Sequence, residues 1–296
     1  MENYTGVRIL FVDKDTIGSF YKDGYLDLEL FDGRLRLDKH QNMFVVLKDE
    51  VPKEQGGVAS ALTRIKGKRL VPLIVSDKTK VSSISPRNKE QAFSLELLMD
   101  DSVEVVALTG SAGTGKTLLS LAVALHKLQE KKYNRVILTR TMSQVGRASI
   151  GFLPGGAGEK FMPFNQGCLC NFENLLGAKP KDMDTVLEQL RIEFIPIQLV
   201  RGASWPKALV IVDEAQNTTP HEMLTIGTRI GEGSKFIILG DLNQRDEKMT
   251  RDATGLYKFV NAAQAKENTT VGSIELVKCE RGNVPRIFAD IFENKE

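Results

Sequence analysis

At 296 residues, with a formal net charge of +2 and a pI near 8.3, the chain has material for one large domain or two modest ones and carries no large basic field. Charge therefore neither demands nor excludes nucleic-acid binding. There is no apolar run of about 18 residues, the opening MENYTGVRILFVDKD lacks a signal-peptide layout, and Cys168, Cys170 and Cys279 lie outside any C-x-x-C or Cys/His ligand pattern; together these predict a cytoplasmic protein without a membrane span, a disulfide or a zinc site.

Residues 1–80 carry short β-like runs, Val7–Val12, Tyr25–Phe31, Met43–Leu47 and Leu70–Val75, punctuated by Asp23-Gly24, Asp32-Gly33 and Gly56-Gly57. Leu26, Leu28 and Leu30 alternate with Asp27 and Glu29, the pattern of a half-exposed antiparallel strand. The expectation is a small β-rich domain of about five strands, with a barrel as one closure. Lys66, Lys68 and Arg69, with Arg64 nearby, form a basic cluster that is either a solvated hairpin or a nucleic-acid contact. Asp77–Arg87 is polar and reads as the linker, and Lys89–Met99 as a short helix.

From residue 103 onward apolar strands alternate with helices. Val103, Val105, Val106, Ala107 and Leu108 form the first strand, followed by Arg135–Thr139, Ile192–Ile197, Ala208–Asp213, Lys235–Gly240 and Ser273–Val277. Helices are expected at 115–131, 182–190, 219–230, 253–264 and 284–293, and the glycine-rich stretch 140–180 reads as a loop with one short helix near 165–176. This alternation predicts an α/β fold with a mostly parallel sheet covered on both faces over 81–296.

Gly110–Thr117, GSAGTGKT, fits G-x-x-x-x-G-K-[ST] between a strand and a helix. The glycines let several N–H groups converge on one point, and the helix N-terminus adds partial positive charge there. Gly110, Ser111, Ala112, Gly113, Thr114, Gly115 and Leu118 are then the phosphate cradle, with Lys116 reaching the outer phosphates and Thr117 ligating Mg²⁺. Four further stretches end at the same sheet edge. In LVIVDEAQN, Asp213 is placed to hold Mg²⁺ and Glu214 to deprotonate a water; otherwise the two acids cap the next helix. In LGDLNQ, Gln244 could sense the γ-phosphate, although the stretch alone is only a turn. Arg140 could hold a phosphate of nucleotide or nucleic acid, or be a strand-end charge. Arg281 is either an arginine finger or a helix-flanking surface residue. Upstream, Gln91 could read the adenine edge.

The ordered set SAGTGKT, LTRTMSQVG, GFLPG, LVRG, IVDEAQNTT, GDLNQ and ERG resembles the PhoH-like ATPase family, related to the first motor domain of superfamily-one helicases. The resemblance covers about 85–296 and implies a P-loop NTPase with a RecA-like core. It maps the family's upstream glutamine onto Gln91, its DEAQ onto Asp213–Gln216 and its late arginine onto Arg281. It implies ATP hydrolysis with Mg²⁺, tied in some relatives to RNA. The sequence departs from the family at Ser111 and Thr141, where proline is usual, and residues 1–80 are too short for the nuclease domain of fused relatives.

No second motor domain fits after the loop, so the expected assembly is a homo-oligomeric ring, a hexamer, in which Arg281 or another arginine faces the neighbour's nucleotide. The leading expectation is an ATPase that remodels or unwinds RNA or single-stranded nucleic acid, up to RNA helicase activity. The alternative is a nucleotide-gated binding or assembly module with little turnover. A small-molecule kinase fits least, because Gly240–Gln244 suggests a nucleotide sensor rather than an acceptor pocket.

Overall fold

The computed structural model describes residues 5–31, 40–51, 60–141, 166–177, 179–244, 250, 253–265, 268–282 and 291. The expected helix at 284–293, apart from Ile291, and the stretch 142–165 lie outside the described residues.

The chain opens with β1 (Val7–Val12), α1 (Lys14–Asp23), β2 (Leu26–Asp27), β3 (Phe44–Asp49), β4 (Ala61–Lys66) and β5 (Arg69–Pro72). These strands form one sheet in the order β1-β3-β4-β5-β2, parallel only between β1 and β3. Among the described residues β1 and β2 are its two edges, so it is an open sheet and not a barrel. Five strands match the β-rich expectation, and helix α1 lies among them at a place where the sequence reading put no helix. Asp13 caps it through Thr16 N–H, Ile17 and Phe20 are buried three apart, and Gly24 ends it at φ 75°. Tyr25–Phe31 also differs from the expected strand. Only Leu26–Asp27 pairs with β5, and Leu28–Phe31 winds into a 3₁₀ turn that buries Leu28 and Phe31 and leaves Leu30 67% exposed. Core contact at a spacing of three prevails there over the alternation of leucines with acids.

The second sheet holds β6 (Val105–Gly110), β7 (Arg135–Arg140), β8 (Ile192–Pro196), β9 (Ala208–Asp213), β10 (Lys235–Gly240) and β11 (Val271–Leu276), in the order β11-β6-β10-β9-β7-β8. Every pairing in it is parallel. Its strands are buried on both faces. In β9, Leu209 and Ile211 join one core while Val210 and Val212 join the other. The helices α2 (Lys89–Met99), α3 (Lys116–Gln129), α4 (Gln166–Leu176) and α5 (Met183–Gln189) lie along the chain with α6 (Pro220–Gly227) and α7 (Gly255–Ala265). Residues of α2, α3, α4 and α5 enter the first core, and Met223 and Ile226 of α6 with Leu256 and Val260 of α7 enter the second. One strand, β10, separates the strand of the glycine-rich loop from the strand of the acid pair, which is the RecA-like arrangement of a P-loop NTPase.

The two sheets are joined by packing. Phe44 stacks on Phe93 of α2, with ring centroids 4.3 Å apart, and belongs to the first core of the larger sheet. Glu275 N–H donates to Thr5 C=O, and Asn42 Nδ2 donates to Thr269 and Val271 C=O, each at 2.8 Å. Arg64, 1% exposed, donates to Asn42 Oδ1 at 2.6 Å and to Asp100 Oδ2 at 2.8 Å, with Glu96 at 3.6 Å. The stretch 77–87 is not a free linker. Val81 is buried in the first core, Ser82 Oγ donates to Ala122 C=O, and Ser83 to Arg87 wall a cavity.

Candidate nucleotide site

All the strands of the larger sheet run the same way, so their carboxyl ends share one edge. Register places Gly240 beside Thr109, Arg140 beside Asp213 and Leu276 beside Gly110. The loops leaving these ends enclose a cavity of about 690 Å³ lined by Lys116, Thr117, Arg140, Asp213, Glu214 and Arg281, with Gln91, Gln244 and Asp241.

The loop between β6 and α3 turns on glycines that a side chain would disrupt. Gly110 sits at φ +137° with space for a Cβ filled by Leu276 C=O, and Gly113 and Gly115 are at φ +82° and +100°. Lys116 Nζ folds back onto Gly110 C=O and, at 2.9 Å, Ser111 C=O. Thr114 Oγ1 donates to Ser111 C=O at 2.9 Å, which ties the loop across the residue that replaces proline. Ala112 and Leu118 line the cavity as well. Thr117 Oγ1 lies 3.5 Å from Asp213 Oδ1.

The pKa of Lys116 is held below the ordinary lysine value. Burial pulls its pKa down, and the carboxylates of Asp241, Asp213 and Glu214 pull it back up. Asp213 is raised above the ordinary carboxyl range, first by burial and then by the neighbouring Glu214, against the cations Arg140 and Lys116. An adjacent pair of half-buried acids with a threonine hydroxyl alongside is a donor set that fits a hard divalent cation. Cys168 of α4 packs its Sγ 3.7 Å from Asp213 Oδ2, and burial together with that acid pushes the thiol well up, so it stays neutral behind the acid.

Glu214 holds a left-handed backbone, φ 53°, which turns its side chain at the strand end. Gln216 Nε2 donates to its Oε2 at 2.6 Å, and Arg140 Nη2 stands 3.7 Å from its Oε1. Gln216 also accepts Asp241 N–H through Oε1 at 3.0 Å, so one amide links the acid pair to the end of β10. Glu214 is the N-cap residue of the 3₁₀ turn Ala215–Asn217 but makes no side-chain cap bond to it. Helix α6 is capped by Thr219 with Glu222 in a reciprocal capping box. Gln244 reaches the cavity wall at the end of the turn after β10.

Arg281 belongs to its own chain's loop. A Cβ on Gly113 would fall 3.1 Å from the Arg281 Cδ and Cγ atoms and 2.8 Å from Cys279 Sγ, and Glu280 N–H donates to Gly113 C=O at 3.0 Å. Arg281 is exposed and lines the cavity of its own chain. Asp241 was not singled out from sequence. It is 4% exposed, its Oδ1 accepts Asn243 N–H at 2.8 Å, and its Oδ2 is buried without a hydrogen-bond partner beside Lys116. An acid directly ending a buried apolar strand is the signal that marks it.

In the basic cluster of the small sheet, Lys66, Lys68 and Arg69 are exposed around the turn between β4 and β5. Arg64 is buried, Lys66 pairs with Asp100 at 3.0 Å, and Arg69 pairs with Asp27 at 3.1 Å over the Tyr25 ring. Among the described residues no helix is long and apolar enough to cross a membrane.

A family profile described as PhoH-like protein matches residues 83–293. The chain is 35% identical over 305 residues to Protein PhoH2 of Bacillus subtilis (strain 168), covering 98% of this chain and 67% of that protein. It is 30% identical over 295 residues to Protein PhoH2 of Mycolicibacterium smegmatis, covering 99% of this chain and 63% of that protein. The chain thus spans about two thirds of the length of these relatives. Among solved structures, the HK97 bacteriophage large terminase aligns with a TM-score of 0.43 at 15% identity, over 70% of this chain and 43% of that one.

Proposed function

The chain belongs to the PhoH-like protein family, and from that premise we propose that it is a Mg²⁺-dependent ATPase that couples hydrolysis to binding, remodelling or unwinding RNA or single-stranded nucleic acid, as a homo-oligomeric ring. The observation that carries the hydrolase part is the convergence of Lys116, Thr117, Asp213 and Glu214 on one cavity at the carboxyl edge of the sheet.

In this reading the loop N–H groups and the N-terminus of α3 receive the phosphates, and Lys116 exchanges the carbonyls of Gly110 and Ser111 for phosphate oxygens. Thr117 and Asp213 would hold Mg²⁺, which when bound neutralises charge on the outer phosphates. Glu214 accepts a proton from the attacking water, oriented by Gln216. Arg281 stabilises the transition-state charge in cis, so any arginine that completes the site across a ring interface is a different one. Arg140 and Gln244, both at the cavity wall, are the residues suited to couple nucleotide state to a nucleic-acid strand.

One observation favours the second reading, a nucleotide-gated binding or assembly module. Both Glu214 oxygens already face partners, Gln216 and Arg140, which suits a base held idle until something draws Arg140 away. Phosphate release measured with and without single-stranded RNA and DNA, alongside native mass, separates the two. The first reading expects stimulation by a strand, loss of turnover in Lys116→Ala, and an oligomer. A monomer at full activity removes the ring, and negligible turnover under every condition favours the gated module.

A further inference from the structure

Gln91 is a buried amide with both ends bonded to main chain. Its Oε1 accepts Arg87 N–H at 2.9 Å, and its Nε2 donates to Thr114 C=O at 3.0 Å. A backbone donor at one end and a backbone acceptor at the other fix which end is oxygen and which nitrogen. Only 5% of the residue is exposed, although it borders the cavity. Thr114 lies between the two left-handed glycines of the loop, and a Cβ on Gly115 would fall 2.9 Å from Gln91 Nε2. The absence of that side chain is what lets the amide approach.

The contact is part of a closed circuit. Asn88 caps α2 by accepting Gln91 N–H at 2.9 Å, and its Nδ2 donates to Glu280 Oε1 at 2.8 Å. Glu280 N–H donates to Gly113 C=O at 3.0 Å, next to the carbonyl that Gln91 holds. The N-terminus of α2, the strand-end segment after β11 and the phosphate loop therefore brace one another through hydrogen bonds between segments far apart in sequence.

We propose that Gln91 is a positioning residue for the phosphate loop and not a reader of the base. By holding Thr114 C=O outward it keeps the loop N–H groups aimed at the phosphates, so it acts on every nucleoside triphosphate alike. This rests on the nucleotide-binding part of the function proposed above. An amide that reads an adenine edge offers its oxygen and its nitrogen to the base together. Turning Gln91 to do so would strip Arg87 N–H and Thr114 C=O of the partners they have.

The test is titration calorimetry of the full chain with ATP, GTP and inorganic tripolyphosphate, which has no base. Wild type is compared with Gln91→Ala and Gln91→Glu. The expected result is that affinity for all three ligands falls by a common factor, about tenfold for one lost buried hydrogen bond. A fall confined to ATP, with GTP and tripolyphosphate binding as in wild type, overturns the proposal. Gln91→Glu keeps the volume and the acceptor for Arg87 N–H while removing the donor to Thr114. It decides the matter in the same way if circular dichroism shows that Gln91→Ala does not fold. A wild-type chain that binds none of the three overturns the nucleotide reading beneath the proposal, and with it the proposal.

Discussion

Lys116 and the acids around it set the chemistry of the site through a few contacts. Asp241 contributes most to holding Lys116 charged against burial, ahead of Asp213 and Glu214. Phosphate binding needs the protonated amine, so it is lost as pH rises through the Lys116 pKa. Removing the Asp241 charge lowers that pKa further. In Asp241→Asn the loss of nucleotide affinity should therefore begin at lower pH than in wild type, in a titration from about pH 7 upward. Glu214→Gln keeps the size of the side chain and removes the base. That variant should bind nucleotide as wild type does and lose hydrolysis by about a hundredfold or more, read by single-turnover phosphate release. Normal turnover in it would exclude Glu214 as the base. Lys116, Thr117, Asp213 and Glu214 were all legible from residue types at a strand end. The partners that tune them, Gln216 and Asp241, were not assigned, because an amide and a strand-end acid gain a role only from what they face.

At the scale of elements, the glycine-rich loop is shaped by what lies against it. Gly113 needs a left-handed backbone and also leaves room for the Cys279 and Arg281 side chains. Gly113→Ala should cost about 1–2 kcal/mol from backbone strain and displace the segment carrying Arg281. The measurements are a lowered melting temperature and weakened nucleotide affinity; an unchanged affinity would show that Arg281 does not depend on this packing. The strands of the larger sheet were found within one or two residues, since runs such as Ala208–Asp213 are apolar on both faces and short. Helix α1 was missed although Asp13 and Gly24 are a helix start and stop. Its β-rich surroundings hid the spacing of Ile17 and Phe20. The 3₁₀ turn Leu28–Phe31 was read as strand because alternation of leucine and acid describes solvent contact and not hydrogen bonding.

For the whole molecule, the small sheet is fastened to the larger sheet and its helices by a buried charge. Arg64 meets Asn42, Glu96 and Asp100, and Asn42 goes on to the start of β11. Breaking such a pair typically costs about 3–5 kcal/mol. Arg64→Leu should fall near the lower end, because Asp100 keeps Lys66 and Ser102 and Glu96 keeps the N–H groups of Ile74 and Val75. Urea unfolding measures it, and an unchanged midpoint would mean that the join is made by the stacking of Phe44 on Phe93 and the bonds of Asn42 and Thr5 without Arg64. Burial of Asp100 raises its pKa, but hydrogen bonds from Ser102 and Lys66 and the charge of Arg64 outweigh it and hold the group well below the ordinary carboxyl range. Its contribution to stability is therefore present above about pH 4 and lost as pH falls below that. The Arg64→Leu chain should show a smaller share of that acid loss.

The sequence by itself determined that a strand, a glycine-rich turn and a helix form a phosphate loop, and that an acid pair ends another buried strand. Both follow from short-range patterns: the apolar run, the positive-φ positions and the charge that cannot stay in a core. Only the tertiary structure decided that β10 lies between those two strands, that Arg281 packs on its own loop, and that Ser83 to Arg87 wall the cavity. It also placed the Gln91 amide between Arg87 N–H and Thr114 C=O. The circuit that holds it runs through Asn88 and Glu280, 192 residues apart, and no local pattern reports a contact whose partners meet only when the sheet has closed the chain on itself.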